Sequence, residues 1–261
     1  MRDMFRELIE SHELLWALTW RNIQIRYKQT IMGFLWAIFM PIIIILSGIV
    51  VKKAMAMFAG RPLDLSQIVS VSVNALPWAF FVGTLKFAVN SLVGNMSLIK
   101  KIYFPREVFP LSSVLSQLFD FIIALAFLVI IFMFARIGAS IHLLWVPVLF
   151  MFLILFVTAL GMVLGCANLF FRDVKYIVDV VLTFGIFFTP VFYEARMFGK
   201  WGKIILLNPV AAILENLNSV VVLKTAPDYL WLLYAGIWSI GGFFLAWYIF
   251  HKTEPLFAEY I

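Results

Sequence analysis

The sequence predicts an all-α membrane protein: six transmembrane helices, an amphipathic interface helix ahead of them, and short re-entrant helices before the last span. Three observations carry this. Hydrophobic residues make up 64% of the 261 and charged residues 13%, with a mean hydropathy of +1.03; an ordinary soluble domain is about half apolar and a quarter charged. Uncharged or nearly uncharged runs recur at 34–51, 68–93, 108–135, 147–171, 176–193 and 229–250, near or above the roughly 20 residues that a helix needs to cross a bilayer. The short alternating segments of a membrane β-barrel are missing. The chain reads as one transmembrane domain over 1–261, with the interface helix in 1–30 and the six spans in 31–261.

Residues 4–28 come first. Phe5, Leu8, Ile9, Trp16, Trp20, Ile23 and Tyr27 recur at helical spacing, with Arg6, Glu10, Glu13, Arg21 and Lys28 between them. A helix with Trp and Arg beside a span lies in the cytoplasmic interface; packing on a partner protein is the alternative. The first span, Phe34 to Val51, has 18 uncharged residues, longer than the apolar core of a signal peptide. Ala54-Met55-Ala56 is therefore not expected to be a cleavage site.

Three spans carry an internal charge: Lys86 in the second, Asp120 in the third and Asp179 in the fifth. Intramembrane charges are functional candidates, and a Lys86–Asp120 pair would account for two of them. Asp179 lies close enough to the interface to need no special role. In the fourth span, Gly161 and Gly165 form a small-xxx-small pair that permits close helix approach, within the chain or between copies. The last external connection, 194–228, is long and fairly apolar around Asn208-Pro209. One or two short helices dipping into the outer leaflet are expected there, covered by protein because their backbone is broken.

Charge placement sets topology. With a cytoplasmic N-terminus, the inner segments hold 11 of the Lys and Arg residues and the outer segments 8. The excess is greatest before the first span, which favours both termini inside. The net charge of +6 and pI of about 9.5 then belong to lipid head groups and topology rather than to nucleic acid. The lone Cys166 excludes an intrachain disulfide. His12, His142 and His251 have no metal-ligand spacing around them, so no metal is expected. Gly199-Lys200 is followed by Trp201 and Gly202-Lys203 by Ile204, so neither opens a phosphate-cradling loop. Energy is expected from a partner or an ion gradient.

The segment Arg26-Tyr27-Lys28-Gln29-Thr30, then Gly33, Trp36 and Pro41, resembles the start of the first span in type-2 ABC-transporter permeases. Lys101 to Glu107 followed by Pro110-Leu111-Ser112 resembles the cytoplasmic loop of that family. Asn168 to Val174, Thr189-Pro190-Val191 and Asn208-Pro209 are similar to its later landmarks. Five motifs stand in register over roughly residues 20 to 215, and the pattern is most like the exporters of lipid-linked polysaccharide: O-antigen, capsule or teichoic acid.

The resemblance implies a transport permease without enzymatic activity. It implies a homodimer in the bacterial inner membrane, working with two copies of a separate cytoplasmic ATPase that holds ATP and Mg. This chain itself would bind no cofactor. Leu98, Ile99, Lys100, Lys101, Ile102 and Tyr103, with Arg172 and Asp173 in the other cytoplasmic turn, are the candidate coupling residues. A plain positive-inside loop is the alternative for the first group, and helix capping for Asp173. Arg21, Arg26 and Lys28 are candidates for admitting a lipid diphosphate; lipid anchoring is the alternative. Trp36 and Phe39, then Trp78, Phe80 and Phe81, then Phe184, Phe187, Phe188 and Tyr193 are candidates for lining a glycan path, against ordinary lipid-facing aromatics. A drug or small amphiphile as cargo, a membrane-embedded transferase of lipid-linked sugars and an ion-coupled transporter are the rival functions. Dispersed charges and the lack of repeats speak against the last two.

Overall fold

In the computed structural model, residues 10–28, 35–58, 60, 62, 64–100, 104–134 and 138–257 are described. Among the described residues the chain is helical throughout, with no strand. The helices are α1 (His12–Lys28), α2 (Leu35–Phe58), α3 (Leu65–Ser91), α4 (Met96–Ile99), α5 (Val108–Phe134), α6 (Val146–Phe170), α7 (Val174–Gly185), α8 (Gly202–Ile205), α9 (Pro209–Val221) and α10 (Tyr229–Thr253). Among the described residues, five stretches are long and apolar enough to cross a membrane: Pro41–Phe58, Leu65–Ser91, Val108–Met133, Ile141–Phe170 and Tyr229–Leu256.

The helix starts follow from local chemistry. Asp64, Asn208 and Asp228 stand before α3, α9 and α10 in extended backbone, and each side chain accepts an N–H that the first turn would leave orphaned. Pro209 opens α9, where its missing donor costs nothing.

α3 forms the centre. It packs against α2, α5, α6, α7 and α9, while α6 lies along α10 and α1 along α5. The apolar core runs through Val73, Leu76, Phe80, Leu149, Leu153, Ile213, Leu214 and Leu217, all buried. A second cluster of Leu92, Ile99, Phe109, Met162, Phe250 and Phe257 closes one end of the bundle. That end, here called proximal, carries α1, α4, the 171–173 turn and residues 250–257. The distal end carries residues 60, 62 and 64, 138–145 and 194–228.

Gly161 and Gly165 serve packing within the chain. A methyl on Gly161 would stand 2.7 Å from the Ala88 Cβ, and one on Gly165 3.2 Å from the Ala88 carbonyl oxygen, so α6 meets α3 almost backbone to backbone. Gly48 does the same for α2, where a methyl would meet Val71 at 2.5 Å and Phe192 at 2.6 Å.

The expected fifth span over 176–193 is not one helix. α7 has 12 residues, a rise of about 18 Å against a hydrocarbon core of about 30 Å. Turns over 186–193 follow, around Pro190, whose ring leaves no N–H for a helical hydrogen bond. Beyond it, Gly199 reverses the chain at φ +55, a conformation with little cost for glycine. The 13-residue α9 then runs with both its faces largely buried.

Candidate functional site

α1 is docked on α5, which the Trp-and-Arg pattern alone did not specify. Leu18 and Ile23 are buried, whereas Trp16 and Trp20 are 65% and 54% exposed, free to sit in the interface. Phe5, Leu8 and Ile9 lie outside the described residues. Asn22 Nδ2 donates to Ser112 Oγ at 3.4 Å, and four residues later Arg26 and Tyr27 both reach Asp120. Eight residues of α5 separate those partners, about 12 Å of rise. The end of α1 therefore descends along α5.

The Arg26 guanidinium pairs with Asp120 Oδ2 while the Tyr27 hydroxyl donates to Oδ1. Burial pushes the Tyr27 hydroxyl above its ordinary value, so it stays a donor. Arg26 also lies over the Phe87 ring, 4.5 Å from its centroid, a cation–π contact. Its Nε and Nη2 are buried without a hydrogen-bond partner. All of this faces a cavity of about 380 Å³ whose other walls are Trp36, Pro41, Phe80, Gln117 and Phe121. The cavity is lined mainly by apolar side chains, with the Arg26–Asp120 pair, Tyr27 and Gln117 as its polar wall.

This pairing corrects one expectation. The Lys86–Asp120 pair does not form: Asp120 belongs to Arg26, and Lys86 Nζ lies 3.0 Å from Asp179 Oδ1. Asp179 thus has a partner on α3 and ties α7 to it. Of the three cations expected together, Arg21 donates to Asn95 Oδ1 at 2.6 Å and Lys28 is exposed at the end of α1; only Arg26 lines the cavity.

The coupling candidates lie at the proximal end. α4 is a single turn that hangs from α3 through a 3-10 turn at Val93–Asn95. Ile99 is buried in the proximal cluster, Leu98 packs against it, and Lys100 is exposed. Lys101, Ile102 and Tyr103 lie outside the described residues. Arg172 and Asp173 are exposed, and the Asp173 side chain makes no capping bond, so the capping expectation is not met. Asn168 ties the 171–173 turn to α3. It is buried, donates to the Val89 carbonyl at 3.0 Å and accepts the Lys175 N–H at 3.2 Å. One amide joins the ends of α3 and α6 to the start of α7.

The distal counterpart is the break at Thr189-Pro190-Val191, all three buried. Asn74, fully buried in α3, donates to the Pro190 carbonyl at 2.9 Å. Asn208 Nδ2 donates to Thr189 Oγ1 at 3.2 Å, and the Tyr193 hydroxyl to the Phe187 carbonyl at 2.9 Å. Side chains from three places replace the hydrogen bonds that the helix gives up. Asn74 and Asn168 were not singled out for these tasks. An amide amid apolar residues was the only signal for Asn74, Asn168 stood in a family-like motif that names no partner, and the carbonyls they reach are 116 and 79 residues away.

The aromatic candidates divide. Trp78, Phe80 and Phe81 are buried within the chain, with Trp78 and Phe81 rings 5.6 Å apart and Phe80 5.0 Å from Phe121. Trp36, Phe39, Phe184, Phe187 and Phe188 are exposed, and Tyr193 is half-buried.

Comparison with known proteins fits this geometry. The family model described as ABC-2 type transporter matches residues 13–222. An O-antigen export system permease protein RfbA from Myxococcus xanthus is 26% identical over 269 residues, spanning 100% of both chains. Two proteins of the same name from Klebsiella pneumoniae are each 26% identical, over 253 and 252 residues, covering 95% of this chain and 94% of theirs.

Proposed function

This chain belongs to the ABC-2 type transporter family, and from that premise we propose that it is the membrane subunit of an ABC exporter for a lipid-linked polysaccharide, O-antigen before others. The observation that carries the cargo is similarity along the whole chain to proteins named O-antigen export system permeases. The protein is a multi-pass membrane subunit of a transporter. In this reading two copies form the path in a bacterial inner membrane, and each engages a cytoplasmic ATPase that holds ATP and Mg.

The proximal end is cytoplasmic in this reading. The basic residues before the first span favour it, and so does the exposed 171–173 turn that Asn168 ties to α3. A push on that turn or on α4 acts on α3, α6 and α7 together. Ile102 and Tyr103 supply the apolar tip of the contact with the ATPase, and Lys100, Lys101, Arg172 and Asp173 its charged rim.

Six crossings complete the topology, one of them broken. The chain is fixed to α3 at Val89 by Asn168 and again at Asn74 by Pro190. Fifteen residues of α3 separate those levels, about 22 Å of rise. α7 and the turns after it, buried at residues 189–191, climb most of the bilayer in this reading and return both termini to the cytoplasm. α8 and α9 are the re-entrant helices of the outer leaflet.

The diphosphate of the lipid carrier is taken up at Arg26, with Arg21 and Lys28 drawing it to the surface. The exposed rings of Trp36, Phe39, Phe184, Phe187 and Phe188, with Tyr193, offer sugar C–H edges a favourable but undirected contact along the path.

The test is to delete the gene in cells that carry it and follow the lipid-linked glycan on both sides of the inner membrane. O-antigen should vanish from the surface and its lipid-linked form accumulate inside, restored by the wild type and poorly by Arg26→Gln. Unchanged surface glycan with a changed drug resistance would make it a small-amphiphile exporter. Conversion of lipid-linked sugars by the purified chain alone would make it a transferase.

A further inference from the structure

We propose that Glu107, His251 and Glu254 form a binding site for one divalent transition-metal ion, of the Zn²⁺ or Mn²⁺ kind, which fastens the start of α5 to the end of α10. The side chains come from two remote parts of the chain, Glu107 just before α5 and His251 with Glu254 three residues apart at the end of α10. His251 Nδ1 stands 3.6 Å from Glu107 Oε1 and 3.5 Å from Glu254 Oε2, and the three donor atoms all lie within 4.8 Å of one another. A triangle of that size lets a single ion reach every donor at about 2.0–2.4 Å.

Two independent features separate this group from an ordinary acidic cluster. Glu107 is only 4% exposed and its Oε2 is buried with no hydrogen-bond partner. A carboxylate left so has lost water without gaining a replacement. Glu254 is already oriented: its Oε1 accepts the Arg106 backbone N–H at 3.2 Å, and its own carbonyl accepts from Arg106 Nη1 at 2.5 Å. That leaves Oε2 turned to His251. Arg106 is thus spent on Glu254 and on the Phe257 ring, 5.6 Å away, and does not reach Glu107. Burial, reinforced by the facing Glu254, pushes the Glu107 carboxyl up, a cost that a cation offsets.

The donor set selects the ion. Two carboxylates with one imidazole suit Zn²⁺, Mn²⁺ or Fe²⁺. Mg²⁺ keeps its water and its octahedron too firmly for so few protein donors. A bound ion would cross-link residues 144 positions apart, directly after the stretch that leads into α5 from α4. The site is independent of the cargo, so its failure would leave the export reading untouched.

The experiment uses the full chain in phosphatidylethanolamine–phosphatidylglycerol nanodiscs, with any affinity histidines removed. Equilibrium dialysis against Zn²⁺ or Mn²⁺ should give one ion per chain. The unfolding temperature, followed by tryptophan fluorescence, should fall on adding EDTA and recover with the metal. His251→Gln and Glu254→Gln should weaken binding by at least about tenfold, no less than the loss of an outer-shell partner costs, and abolish the EDTA response. Should either variant fold poorly, electron spin-echo spectra of Mn²⁺ on the wild type keep the test open, because imidazole nitrogen must couple to the ion. Substoichiometric binding, Mn²⁺ without nitrogen coupling, or wild-type affinity in His251→Gln would overturn the site. So would an unfolding temperature that follows pH but ignores EDTA and metal, which would mean that the three groups share only a proton.

Discussion

Asp120 illustrates how one side chain can be predicted to matter while its partner is missed. A carboxylate at mid-span must be neutralised, and Lys86 was the cation that hydropathy put near it. Arg26 reaches it instead because the end of α1 descends along α5, a tertiary fact that no spacing encodes. Removing one partner of a pair this sheltered should cost about 3 kcal/mol. Asp120→Leu and Arg26→Met are each expected to lower stability, with the double variant milder than the sum of the two. SDS-titrated unfolding of the four proteins measures the cycle. Gly161→Val should be worse than its size suggests, by about 1–3 kcal/mol, because even a methyl would stand 2.7 Å from Ala88 Cβ and neither backbone can retreat. Glu215 bears on pH. Burial raises its carboxyl value, with Glu194 adding to the effect. Its stabilising contribution is present below its unfolded value of about 4.3 and is lost as pH rises through the raised native value. Unfolding temperature should therefore fall with rising pH across that window, and Glu215→Gln should flatten the slope.

Among the elements, those governed by long apolar runs were legible and those governed by interruptions were only half so. α3, α5, α6 and α10 lie where 68–93, 108–135, 147–171 and 229–250 place them, since about 20 apolar residues leave a helix few alternatives. The run 176–193 is as apolar as the others, yet Pro190 and the side chains that reach the turns around it divide it. Hydropathy weighs residues singly and cannot see that Asn74 awaits the Pro190 carbonyl. Asn74→Leu should leave that carbonyl buried and unpaired, at about 1–3 kcal/mol. It should also speed hydrogen exchange selectively over 186–193, which mass spectrometry of the nanodisc-embedded protein would detect. Exchange unchanged there would mean that the break holds without its clasp. The motif containing Asn168 was legible as a landmark of a resembling family, but its task of joining α3, α6 and α7 was not.

For the molecule as a whole, sequence placed the charges at the two ends and the fold has sorted them into machinery. The proximal end collects two turns, a docked helix and an acidic–imidazole group. The distal end collects the break, the reversal at Gly199 and a nearly buried helix. Between them stands α3, touched by α2, α5, α6, α7 and α9. A rod gripped on every side still has one weak point at Pro77, which donates no hydrogen bond to the helix. α4 hangs from one end of that rod, and Asn74 holds Pro190 near the other. In the export reading, a stroke on α4 would have to cross Pro77 before it reached the clasp of Asn74 on Pro190. Slack would then lie first at that proline and only next in the side chains that grip the rod.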